Sequence, residues 1–203
     1  DRPREVEWPR KQTENLLQVL VAEDDPVNSK IIKKRLEKAG HEVYHTINGE
    51  ECATAYGEKP AFFDVILMDM QVSTFIHRLT TTLVNQTTYQ MPIVDGLSST
   101  KMIRSYEKTH STDILSPRAA ANSRVPIFAV SASLVERECR TYIDAGFDRW
   151  VLKPIDFNRL NTLLSGIVDE EIRKSCLYQP SRWECGGFFE RAQRGVFSAK
   201  TSP

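Results

Sequence analysis

The chain has 203 residues, 27 basic and 27 acidic side chains, a formal net charge of zero and a hydrophobic fraction of 40%. That is enough for one well-filled core with extra length, since a domain of about 150 residues hides roughly 70% of its unfolded surface. The balanced charge gives no field to draw in nucleic acid or an anionic membrane, so neither partner is expected.

Cys52, Cys139, Cys176 and Cys185 form no C-x-x-C pair and have no histidine nearby, which argues against a zinc site or a disulfide framework. Reduced thiols in a cytosolic or nuclear protein are the expectation. No apolar run reaches membrane-spanning length, and the opening "DRPREVEWPRK" is not a signal peptide. A chain that starts at Asp1 instead of Met is expected to be part of a longer one.

In chain order, residues 1–17 read as an extension or linker. "QVLVAEDD" is a short buried strand that stops at three acids. Pro26 opens a helix with Val27, Ile31, Ile32, Leu36 and Ala39 at helical spacing, closed by Gly40. "HEVYHT" is a second strand, and "GEECATAYGEK" a helix with Cys52, Ala55 and Tyr56 inward. "FFDVILMDM" is a strand apolar on both faces.

An acid-free, threonine-rich stretch follows, and "DGLSSTKMIRSYEK" then resumes as a helix that carries Leu97, Met102, Ile103 and Tyr106. Thr109 to Arg124 lacks apolar periodicity and reads as an exposed loop. "VPIFAVSAS" is the fourth strand, "LVERECRTYIDAG" a helix closed by Gly146, "RWVLKP" the fifth strand and "DFNRLNTLLSGIV" the fifth helix. Alternating elements with four apolar strands predict a doubly wound α/β domain over 18–168, five parallel strands covered on both faces. From Asp169 the pattern dissolves, and 169–203 is expected to be a poorly ordered tail.

Four strands end in a polar residue at the same relative place: Glu23 and Asp24, then Asp69, Ser131 and Lys153. In an open parallel sheet the carboxyl ends share one rim, where ligands bind. Taken singly, each is most simply a solvated cap or an exposed side chain. Taken together, three carboxylates repel by about 4 kcal/mol per close pair at an effective dielectric near 20, so they call for a cation. Magnesium suits them, because it takes oxygen ligands and shares a phosphoryl oxygen. A lysine and a hydroxyl opposite would hold the remaining phosphoryl oxygens, and a carboxylate can be the nucleophile.

"VLVAEDDPVN", "DVILMDMQ" with "MPIVDG", "VPIFAVSAS" and "WVLKPID" resemble, in order, the motifs of response regulator receiver domains, and in wording most of all those of fungal hybrid histidine kinases. The resemblance implies a flavodoxin-like (βα)5 fold. It makes Asp69 the phosphoacceptor, Asp24 a direct and Glu23 a water-mediated magnesium ligand, and the Gln71 backbone carbonyl a further ligand. Ser131 becomes the switch hydroxyl, Lys153 the phosphate-sensing lysine and Lys153-Pro154 a cis bond. Trp150 stands where the switch aromatic is usually tyrosine or phenylalanine, and the larger indole is expected to move less freely.

The implied donor is a histidine kinase or histidine phosphotransfer protein. The implied output is a downstream protein bound on the face of the fourth helix, fifth strand and fifth helix. His41, His45, His77 and His110 lie in no kinase histidine box and no nucleotide-binding glycine boxes occur, so the donor comes from elsewhere and the domain is a phosphoacceptor, not an enzyme in its own right.

Deleting Val72 to Gln90 leaves "DVILMDMQMPIVDG", the uninterrupted receiver loop. Val-Ser can be encoded by GTAAGT and Gln by CAG, splice donor and acceptor strings, so a translated intron is expected ahead of a genuine insertion. Lengthening the loop costs only about 1–2 kcal/mol, but a displacement near 1 Å in a phosphoryl-transfer site costs about a hundredfold in rate. The rival reading is therefore a receiver-shaped binding module that the segment has made unable to take phosphate.

Overall fold

The computed structural model describes residues 16–70 and 94–190. Gln71, the segment Val72–Gln90 and His77 lie outside them, as do the first 15 residues and those after 190. The elements are β1 (Gln18–Ala22), α1 (Pro26–Lys38), β2 (Glu42–Thr46), α2 (Gly49–Glu58), β3 (Val65–Asp69), α3 (Gly96–Thr109), α4 (Pro117–Ala121), β4 (Ile127–Ser131), α5 (Cys139–Ala145), β5 (Arg149–Leu152), α6 (Phe157–Ser165), α7 (Glu170–Ser175) and β6 (Gly187–Phe188).

The sheet runs β2-β1-β3-β4-β5-β6. The first five strands are parallel and β6 joins antiparallel to β5. The doubly wound arrangement is as the alternation predicts, because each parallel crossover carries a helix back over one face. β1, β3 and β4 are buried almost throughout, which is why they read as continuous apolar runs.

Two cores follow from the pleat. On one face Cys52, Tyr56, Ile103 and Tyr142 pack on Leu20, Ile66 and Ala129; on the other Ile32, Leu36, Leu160 and Leu164 pack on Val19, Leu67 and Phe128. Asp25 caps α1 by accepting from the amides of Val27 and Asn28, both at 2.8 Å, and Gly40 and Gly146 take the left-handed conformation after α1 and α5.

Three expectations are corrected. Thr109–Arg124 is not an exposed loop: Ser116 caps α4, Pro117 opens it, and Leu115, Ala119 and Asn122 are buried. Asp64 anchors the segment, accepting from the Ser116 hydroxyl at 2.7 Å and pairing with Arg118 at 3.2 Å. Periodicity failed over so short a helix, whereas Ser-Pro followed by alanines is a helix-start signal in its own right. Secondly, Val27 (62% exposed), Ile31 (45%) and Met102 (44%) face outward, because α1 and α3 need only a narrow inward stripe, filled by Ile32, Leu36 and Ile103.

Thirdly, the stretch from Asp169 keeps forming regular elements as far as Phe188. α7 leads into a return that lays β6 along β5, with Trp183, Phe188 and Phe189 buried. The Tyr178 amide donates to the Phe188 carbonyl at 2.8 Å, and the Phe189 amide to that of Asp148 at 2.9 Å. Phe188 and Phe189 point to opposite faces and so enter different cores. No described helix is long and apolar enough to cross a membrane.

His41 gives the fold a pH dependence. Its Nδ1 accepts the Leu17 amide at 3.3 Å, and burial, then the charge of Arg118, lower its pKa from 6.5. A base whose folded pKa is depressed contributes stability that is complete above its unfolded value and is lost as pH falls below it. The melting temperature should therefore drop more steeply below about pH 6.5 in the native protein than in His41→Gln, a difference that paired thermal melts across that range would measure.

Candidate functional site

The register brings the strand ends to one rim. Ala22 pairs with Met68, Asp69 with Val130 and Ser131 with Leu152, so Glu23, Asp69, Ser131 and Lys153 emerge side by side. The Glu23 amide donates to the Thr46 carbonyl at 3.1 Å and the Lys153 amide to that of Ser131 at 3.0 Å, extending the ladders by one residue past the strands. His45 fixes the same turn, its Nε2 2.7 Å from the Glu23 carbonyl oxygen.

Glu23, Asp24 and Asp69 each turn a carboxylate oxygen inward, all within 4.8 Å of one another. Lys153 closes the group, with its Nζ 2.6 Å from Asp69 Oδ2 and 2.8 Å from Glu23 Oε2. Glu23 and Asp69 are buried and Asp24 half-buried. Burial first, and the charge of Asp69 with it, raise Glu23 and Asp24 from their ordinary values, while the Lys153 hydrogen bond partly offsets this for Glu23. For Lys153, burial alone would favour the neutral amine, yet the bonds and charges of Asp69 and Glu23 outweigh it and raise its pKa.

Among the described residues, three carboxylates against one ammonium leave an excess of negative charge, and the donors are all hard oxygens. This set fits a small divalent cation such as Mg2+. Ser131 is fully buried at the end of β4, its Oγ 3.0 Å from Ser133 Oγ and accepting the Ser133 amide at 3.1 Å. Lys153-Pro154 is cis, as the resemblance implies. Trp150 belongs to the layer beneath, buried and held by the C-terminal residues.

The expected metal-ligand carbonyl of Gln71 lies outside the described residues. What is visible is how the chain resumes. A Cβ built on Gly96 would stand 2.5 Å from the Asp69 carbonyl oxygen and 3.0 Å from Met70 Cα. The start of α3 thus presses directly against the end of β3, and only glycine permits that approach. The motif "MPIVDG" contains Gly96, but nothing in it announces this contact.

No family model matches the chain. It is 32% identical over 152 residues to the peroxide stress-activated histidine kinase mak1 of Schizosaccharomyces pombe, covering 74% of this chain but 8% of that protein. Among solved structures it is similar to the receiver domain of the histidine kinase CKI1 from Arabidopsis thaliana, complexed with Mg2+ and BeF3−, at 27% identity and TM-score 0.52 over 75% of this chain and 89% of that one. The chain contains a CheY-like receiver domain. The receiver fold is also shared with the Ssk1 receiver of Saccharomyces cerevisiae, solved with the histidine phosphotransfer protein Ypd1, at 22% identity and TM-score 0.54 over 74% of this chain and 88% of that one. The chain spans only a small part of its curated relatives, 8% to 15% of the first three.

Because the Gly96 contact is with backbone, a side chain there must displace the strand end that carries Asp69. Gly96→Ala should destabilise the receiver by about 1–3 kcal/mol, read as a lower urea midpoint with an unchanged m-value.

Proposed function

We propose that this receiver takes a phosphoryl group from a phosphohistidine onto Asp69 in a magnesium-dependent step of a phosphorelay. The observation that carries this is the convergence of Asp69 with Glu23, Asp24 and Lys153 within hydrogen-bond or ion-pair reach. A binding module that has lost phosphate chemistry has no need to keep three repelling acids together, so the assembled rim favours the phosphoacceptor.

An Asp69 carboxylate oxygen would form the new bond to phosphorus as the P–N bond of the donor breaks, its electron pair leaving with the imidazole. Glu23, Asp24 and Asp69 would hold Mg2+, with Gln71 as the expected further ligand; when bound, the ion neutralises charge on the carboxylates and phosphoryl oxygens. Lys153 is positioned to leave its bridge and follow the new charge, and Ser131, two residues from its present partner Ser133, to supply a hydroxyl to a phosphoryl oxygen.

A histidine kinase or histidine phosphotransfer protein supplies the group. Its docking surface is the groove of about 450 Å³ beside Lys153, lined by Asn28, Ile31, Ala132, Pro154, Ile155 and Phe157, with Val27 exposed on the same helix. This mostly apolar surface adjoins the acceptor, as in-line transfer between two proteins demands. We further read the domain as part of a longer hybrid kinase or relay protein acting in the cytosol or nucleus, and the segment Val72–Gln90 as an addition to the receiver loop, a translated intron ahead of a genuine insertion.

Acetyl phosphate with Mg2+ should add one phosphoryl group to the intact chain by mass spectrometry, and neither Asp69→Asn nor an EDTA-treated sample should gain it; equal labelling of Asp69→Asn would refute the assignment. Lys153→Met removes the cation that bridges Asp69 and Glu23. It should bind Mg2+ about tenfold or more tightly, as expected from losing one close like-charged competitor, while its labelling falls, with titration calorimetry and mass reading the two effects. Deleting Val72–Gln90 should raise both magnesium affinity and labelling, and equal or better labelling with the segment present would count against a disruptive role.

A further inference from the structure

The C-terminal return does more than lengthen the sheet. Trp150 packs against two rings it supplies: Trp183, 4.5 Å away and 12° from parallel, and Phe189, 5.0 Å away and 23° from parallel. Tyr178 meets the same indole edge-on at 5.8 Å. Trp150 Nε1 donates to the Trp183 carbonyl at 2.8 Å, and Trp183 Nε1 donates in turn to the Leu134 carbonyl at 3.1 Å, both buried. The Tyr178 hydroxyl donates to Glu136 at 2.6 Å, and Trp183 stacks on Tyr142 at 6.3 Å.

Three of these contacts end on the stretch that follows Ser131: Leu134 and Glu136 in the loop after β4, and Tyr142 on α5. One short segment therefore grips both β5 and the loop that follows Ser131. Its backbone hold on the sheet is short, since β6 makes two residue pairs with β5 at the sheet edge, and the rest of its hold is the burial of Trp183, Phe188 and Phe189. Such an edge segment can open as a local unit without β1, β3 or β4 opening.

We propose that residues 176–190 form an internal strap over Trp150 and the edge of β5, and that phosphorylation of Asp69 loosens it. The inference rests on the phosphoacceptor reading above. When Ser131 is drawn to a phosphoryl oxygen, Leu134, three residues on, moves with it. The buried indole N–H of Trp183 then loses its acceptor, and an unsatisfied buried donor is disfavoured. Release would uncover Trp150, Tyr142 and the β5 edge, the same face on which a downstream protein is expected. The strap thus occupies in the resting state what the output must reach, and by linkage whatever weakens it favours the phosphorylated form.

The test uses the full chain with Mg2+ and acetyl phosphate, with mass and amide hydrogen exchange read on one sample. The amides of Tyr178, Phe188 and Phe189 should exchange about 5- to 150-fold faster after labelling, the range of ordinary allosteric coupling, while those of β1 and β3 stay unchanged. Trp183→Phe keeps a stacking ring but removes the donor to Leu134. It should bind beryllofluoride with Mg2+ more tightly by a similar factor, which a merely structural strap would not cause. A mass gain with unchanged exchange, or unchanged beryllofluoride affinity in Trp183→Phe, overturns the strap alone. No mass gain overturns the phosphoacceptor reading and the strap's release with it.

Discussion

The Lys153 ammonium between Asp69 and Glu23 is the contact on which the rim depends. Without a cation, three carboxylates within 4.8 Å would repel strongly in a partly buried setting, and strand ends would have reason to splay. One lysine, brought by β5 from across the sheet, holds β1 and β3 in a common site. Among the described residues the acids outnumber it, and that excess is also what makes the rim receptive to a divalent ion. Structure and chemistry here share one cause: a set of acids more numerous than their resident counter-charge.

Most of the rim was legible because it obeys two strong regularities. Apolar runs of strand length mark the parallel strands, and the residue just past each run must arrive at the same edge. Glu23, Asp69, Ser131 and Lys153 needed no more than that to be gathered, and the motif resemblance then supplied their roles. Gly96 was less visible, because a close approach to the Asp69 carbonyl depends on where two distant backbones meet, and one glycine looks like another.

Two of the misreadings share an origin in brevity. α4 is five residues long, too short for an apolar period, and its Ser-Pro start was the only local sign. β6 is two residues, below any pattern threshold, and its aromatic neighbours are spaced for a surface already present, not for a period of their own. Val27 and Ile31 fit the helical spacing yet face outward; periodicity finds the stripe of a helix but does not say how much of that stripe a neighbour covers. An indole at position 150 was the hint that something large must pack against it, since a buried Trp needs both area and an acceptor for its N–H.

The contact of Gly96 with Asp69 and Met70 also makes this junction an unusually permissive graft point. Exit and re-entry of the chain adjoin, so the separation an inserted unit must span is set by the sheet and not by the unit's own size. A folded guest with neighbouring termini, such as a fluorescent reporter, could be accommodated there while strand order is retained. Evolution would meet the same leniency: novelty at this position is screened for what it does to the chemistry next door, and scarcely at all for whether the host still folds.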